Sequence, residues 1–287
     1  DITVKFVPYD FIKALGGEKL VDVQLGDQVE REVTVLFLDI RDFTSLAEQM
    51  TPEDNFKFVN AFNSRLGPLI REHRGFINQY LGDGIMAIFP DNAKDALHAA
   101  IDIQQSLLSF NEKRISYGRK PINVGIGMHT GSLIMGITGD EHRLDAATIS
   151  DTVNTASRIE SLTKHFGVSI LLSEDSLDQI ENKSEFHFRY LGKVQVKGRR
   201  KPVNIYECFN GDPEEMIDRK INLLDHFETG LKYYLQGSFN KAIESFDQAL
   251  QINQHDMPAQ LFRSKSNDLA VEGVSPEWSG IEMMDKK

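Results

Sequence analysis

Cysteine is almost absent from this chain of 287 residues, with Cys208 the only one. An internal disulfide is therefore impossible, and the composition fits a reducing compartment. No apolar run approaches the roughly 20 residues needed to span a bilayer, and no signal peptide is read at the start. Positive charge is also scarce: Lys and Arg number 32 against 43 Asp and Glu, a formal charge of −11. Such a field repels phosphate backbones and argues against nucleic-acid binding. A small polyanion would need a metal and local basic groups. The apolar share, 40%, is ordinary for a globular chain with a buried core. A cytoplasmic setting is expected from the scarce cysteine. The first residue is Asp1 rather than Met, so the chain is expected to be a piece of a longer protein, with room for a sensor or membrane domain upstream.

Residues 1–30 mix short apolar runs with Gly16-Gly17 and are expected to be a connector. Val33-Thr34-Val35-Leu36-Phe37-Leu38 has the continuous pattern of a strand buried on both faces. Thr51, Pro52, Glu53 and Asp54 carry the signals of a helix start. Phe56, Val59, Phe62, Leu66 and Ile70 are then expected on its buried face. Two short strands flank Gly82-Asp83-Gly84 as a hairpin, and a second helix runs through Ala96 to Leu107. Residues 122–139 suggest two strands joined at Thr130-Gly131. A helix over Asp151 to His165 and strands near 168–172, 186–196 and 203–209 close an α+β, ferredoxin-like domain at 31–210.

From 211 to 270 the pattern is helical alone. Gly230, Tyr233, Gly237, Ala242, Phe246 and Ala249 fall at the small and large positions of one tetratricopeptide-like hairpin, with Gln254 where a proline is usual. A single repeat cannot bury its own face, so this all-α extension is expected to pack on the preceding domain or on a partner. Residues 271–287 are polar and expected to be loose.

The chemistry-bearing residues form two groups. Asp39 ends the first strand and Asp83 tips the hairpin; if the hairpin pairs with that strand, two carboxylates converge, as hard cations on phosphate require. Asp-Gly alone is also a common turn, and an Asp at a strand end is often a cap or a solvated residue. Asn154 and Arg158 stand four apart on one helix face, a cationic fork beside an amide; taken singly, such a pair is often just solvated. Gly125-Ile126-Gly127 lacks the dinucleotide spacing and is better explained by strand packing.

Taken in order, Phe37-Leu38-Asp39-Ile40-Arg41-Asp42-Phe43-Thr44, Leu81-Gly82-Asp83-Gly84, Gly127-Met128-His129-Thr130-Gly131, Asp151-Thr152-Val153-Asn154-Thr155-Ala156-Ser157-Arg158 and Val196-Lys197-Gly198 closely resemble the catalytic domain of class III adenylyl and guanylyl cyclases. The resemblance implies that Asp39 and Asp83, assisted by the Ile40 carbonyl, bind two Mg²⁺ or Mn²⁺ ions. It implies that Asn154 and Arg158 stabilise the transition state, that Lys197 contacts the terminal phosphates, and that amides around Phe43 and Thr44 cradle the triphosphate. It also implies a head-to-tail homodimer whose sites take metal ligands from one chain and Asn and Arg from the other.

Two positions depart from the adenylyl pattern. Gln79 stands where a purine-reading Lys is common, and Ala147 where an Asp or Thr is common, with Thr148 one step along. The usual guanine-reading Glu and its Cys or Ser partner are absent too. ATP is the expected substrate. The alternatives are GTP and an inactive regulatory module, although the retained Asp39, Asp83, Asn154 and Arg158 speak against decay. A diguanylate-type cyclase would carry a different hairpin motif from Leu81-Gly82-Asp83-Gly84-Ile85.

Overall fold

The structure, a computed structural model, describes residues 9–17, 24–140, 144–195 and 201–283. A short helix α1 (Tyr9–Ala14) precedes the long strand β1 (Gln28–Ile40) and the one-turn α2 (Phe43–Ala47). Helix α3 (Pro52–Glu72) starts as its sequence dictates: the Thr51 hydroxyl accepts from the Asp54 N–H at 3.1 Å, and Pro52 opens the first turn. The hairpin β2 (Phe76–Leu81) and β3 (Gly84–Phe89) leads into α4 (Ala93–Ser116), β4 (Val124–Gly139), β5 (Leu144–Ile149) and α5 (Asp151–Phe166). Strand β6 (Ile170–Ser173), α6 (Glu174–Asp178), β7 (Phe188–Gln195) and β8 (Val203–Cys208) follow. Helices α7 (Glu214–Leu235), α8 (Phe239–Ile252) and α9 (Met257–Glu272) and a short β9 (Glu282–Met283) end the chain.

The strands form one sheet in the order β2-β3-β1-β4-β6-β8-β7-β9, with β5 paired to the later part of β4. Most neighbours are antiparallel, but β4–β6 and β7–β9 are parallel, so the sheet is mixed. β1 is buried on both faces. Leu36, Leu38 and Ile40 pack against α3 and α4, whereas Val33, Val35 and Phe37 pack toward α1 and α5.

Several expectations are corrected. β4 does not break at Thr130-Gly131; it pairs with β1 from Val124 to Gly136, and the turn comes after Gly139. An uninterrupted partner strand keeps it extended. Phe62, Leu66 and Ile70 are buried on α3 as expected, but Phe56 is 70% exposed. The first turns of α3 leave the apolar core, and Phe56 lines an open groove of about 1040 Å³ with Phe43, Val59 and Tyr80. The early segment is more than a connector, because Phe11 of α1 is buried against Val33 and Val35. The tail is exposed over 271–277 but packs again beyond it: Trp278 sits edge-on to Tyr234 and Phe239, and β9 pairs with β7.

The α7–α8 hairpin brings Gly230 under the Phe246 ring, where a Cβ would lie 2.7 Å from it. Its apolar face joins that of the sheet: Leu223, Phe227, Phe246 and Phe262 form one cluster with Ile159, Leu162, Leu171 and Ile205. A buried ionic chain stitches the two parts. The Arg189 guanidinium donates to Glu207 at 2.7 Å and to both Asp256 oxygens at 2.9 Å. Lys220 Nζ donates to Glu207 and Asp212, each at 2.5 Å. Burial alone would raise the Glu207 pKa, but Arg189 and Lys220 hold it below its usual range. Removing one partner strands buried charge. Arg189→Ala is therefore expected to cost about 3–5 kcal/mol, checked by urea unfolding.

Candidate active site

β1 ends with Asp39 opposite Gly84 of β3 on one side and Gly125 of β4 on the other. Gly82, at φ 72, turns the hairpin in the left-handed region that favours glycine, which sets Asp83 at its tip. Gly84 keeps the approach open, since a Cβ there would lie 3.0 Å from the Leu38 carbonyl and 3.5 Å from Asp39 Oδ1. The Asp83 carboxyl lies close enough to Asp39 to perturb its ionisation.

Burial pushes the Asp39 pKa up to about 7; the neighbouring Asp83 adds to it, while the Ile40 N–H and Arg41 act against it. Glu160, on α5, is also pushed up to about 7, first by burial and then by Asp39. Burial lowers the Arg41 pKa, and its guanidinium donates to the Val168 carbonyl at 2.7 Å. Three carboxylates thus face one guanidinium. Such crowding favours protonation or a bound cation. Among the described residues no His, Cys, Asp or Glu trio stands in ligating geometry. Two hard carboxylates suit Mg²⁺ or Mn²⁺, whose remaining positions go to water and substrate phosphates. Sequence reasoning missed Glu160 and Arg41. Arg41 lay inside a quoted motif, and Glu160 two residues past Arg158, but their proximity is tertiary.

Helix α5 lies directly on β4. A Cβ on Gly127 would collide with the Glu160 backbone, one on Gly125 with Thr163, and one on Gly131 would come 2.7 Å from the Thr152 hydroxyl. The β4 glycines therefore serve close helix packing. The same contacts set the level of each α5 residue along the sheet. Asp39, opposite Gly125, is level with Thr163. Asn154 lies nine residues away, about 14 Å along the helix at 1.5 Å per residue. Asn154 is exposed and Arg158 half-buried. One chain thus brings Asp39 and Asp83 together but does not bring Asn154 to them.

Phe43 and Thr44 open α2, after Asp42 in the left-handed region at φ 54. Phe43 stacks on Phe58, with centroids 6.2 Å apart, and Thr44 is exposed. Ile40 is buried, with its carbonyl at the strand end. Gln79 is exposed and pairs with Met86, on the α5 side of the sheet. Thr148 pairs with Met135 and Ala147 with Gly136, so Thr148 shares the α5 side and Ala147 points to the other. Lys197 lies outside the described residues.

A family model described as the adenylate and guanylate cyclase catalytic domain matches residues 26–209. The chain belongs to the class III nucleotide cyclases. The chain is 42% identical to an adenylate cyclase of Anabaena cylindrica over 209 residues, 71% of this chain and 42% of that one. It is 34% identical over 266 residues to a terminal-differentiation-specific adenylate cyclase of Dictyostelium discoideum, 90% of this chain and 12% of that one. The chain therefore spans less than half the length of these curated relatives. Residues before 26 are too few to supply the longer alignment, so that likeness runs into α7–α9. Among solved structures, an adenylyl cyclase from P. aeruginosa, CyaB, aligns at TM-score 0.56 and 29% identity, covering 63% of this chain and 95% of that one. The guanylyl cyclase Cya2 aligns at TM-score 0.56 and 30% identity, covering 63% and 92%.

The metal-free site has a pH signature. The Asp39 pKa is about 7 in the folded chain against 3.8 as its ordinary value. The folded state therefore binds the extra proton between these values, so this group's contribution is present at low pH and is lost as pH rises through about 7. With chelator present, Asp39→Asn is expected to melt above the wild type at pH 8, with the gap closing toward pH 4. Thermal scans across that range check the sign.

Proposed function

We propose that this domain converts ATP to 3′,5′-cyclic AMP and pyrophosphate in a head-to-tail homodimer with composite sites. The observation that carries it is the offset on α5: Asp39 and Asp83 converge, while Asn154 lies about 14 Å along the helix from their level. In this reading a site that needs all four groups takes Asn154, and Arg158 one turn along the same helix, from a second copy.

In this reading Asp39, Asp83 and the Ile40 carbonyl hold two divalent cations, Mg²⁺ or Mn²⁺. The ions would acidify the ribose 3′-hydroxyl and neutralise the polyphosphate. Amides at Phe43 and Thr44 and the side chain of Lys197 bind the phosphates. Arg158 of the second copy offers its fork to the charge that grows on the α-phosphoryl oxygens, and its Asn154 orients the ribose. The 3′-oxygen bonds to the α-phosphorus as the bond to the bridging oxygen of pyrophosphate breaks. Residues 211–270 are then an accessory to the catalytic domain. We also carry an upstream sensor and a cytoplasmic setting as parts of this proposal, because the relatives are longer and the substrate is a cellular nucleotide.

Arg158→Ala is expected to lose on the order of 10²–10³ in rate, as for one preorganised transition-state contact. Mixing Asp39→Ala with Arg158→Ala chains should restore activity, because each mixed dimer keeps one intact site. Exchange of subunits without recovery would sink the composite arrangement.

The preference for ATP rests on Gln79 and Thr148 sharing one side of the sheet. An amide and a hydroxyl satisfy adenine's neighbouring acceptor and donor without an ionised partner. Guanine's two adjacent donors would stay partly unpaired, at about 1–3 kcal/mol. We expect kcat/KM under Mn²⁺ to favour ATP over GTP by about 10–100-fold, the scale of that penalty. A value for GTP equal to or above that for ATP promotes the guanylyl reading.

A further inference from the structure

Helix α5 is gripped from two sides. In front, the Glu160 backbone rests on Gly127 with no room for a methyl group. Beside it, Ile159, Leu162 and Phe166 are buried in a cluster built from β6–β8 and from α7, α8 and α9. The last turn of α5 ends inside the extension. Phe166 lies 6.2 Å from the Phe262 ring of α9, and a Cβ on Gly167 would fall 2.6 Å from Met257. His165 pairs with Glu282 of β9 at 3.4 Å, and Lys265 of α9 pairs with the same carboxylate. The extension cannot drift freely, because Arg189 and Lys220 tie α7 and the start of α9 to β7 and β8.

Glu160, at the tightest contact, is six residues from Asn154 in one direction and six from Phe166 in the other. A rigid helix pivoting there moves its two ends by equal and opposite amounts. A shift of about 1 Å at Phe166 would displace Asn154 by about 1 Å, a misplacement that can cost about 100-fold in rate. We propose that α7–α9 form a brace that sets the pose of α5, with Phe262 as a positioning residue acting through Phe166. This rests on the proposed roles of Asn154 and Arg158. It gives the extension a part in turnover without contact with substrate.

The test uses the full chain. Dimers are mixed from Asp39→Ala and Arg158→Ala chains, and Phe262→Ala is added to one partner at a time. The single working site draws its α5 from the Asp39→Ala chain. Phe262→Ala on that chain should lower kcat about tenfold, part of the cost of a 1 Å misplacement, with KM and the Mn²⁺ midpoint unchanged. On the Arg158→Ala chain it should change kcat by less than about twofold. Equal losses in both placements would mean general destabilisation and overturn the brace. If the parent mixture is itself inactive, the composite site fails, and homodimers decide the brace separately. There Phe262→Ala should cost about tenfold in the wild type and clearly less beside Arg158→Ala, the coupling expected of groups acting through one element. Multiplicative losses would overturn it. Phe262→Leu replaces the alanine variant, with the same criteria, if the latter does not fold.

Discussion

The contact between the Glu160 backbone and Gly127 is the constraint on which this architecture turns. Two backbones meet where any side chain would force them apart. The contact sets how far α5 sits above β4, and with the neighbouring contacts at Gly125 and Gly131 it sets the helix's level along the strand. That level separates Asn154 from Asp39 and Asp83 within one chain.

Electrostatics at the end of β1 follow from the same placement. Close packing carries Glu160 down beside Asp39, Asp83 and Arg41, and burial leaves Asp39 and Glu160 with pKa values near 7. A fold selected for stability alone would not gather uncompensated acids in a half-buried corner. A site for cations and a triphosphate would, because the missing positive charge arrives with the ligand.

Farther along the same face, the sheet is closed by the extension. There Leu171 and Ile205 of the sheet and Ile159 and Leu162 of α5 are covered by α7–α9. The ionic chain through Arg189 orients this cover more than it strengthens it, since a buried pair gains little over an apolar substitute. Helix α5, the sheet and the extension consequently form one packed unit.

The sequence by itself determined the helix start at Thr51, the helix over Asp151 to His165, the hairpin at Asp83 and the switch to helices from 211, and it singled out the candidate chemistry-bearing residues. These are local signals, carried by contiguous residues and by periods of two or 3.6. It did not decide which side of a strand a residue faces, because one step of register reverses the answer; only pairing with β4 put Thr148 and not Ala147 beside α5. Nor did it reveal that Phe56 leaves the core, that β4 runs unbroken, or that Trp278 and β9 pack down. Glu160 and Arg41 gained a role only when α5 came down on β4, because burial and charge proximity belong to contacts between distant residues.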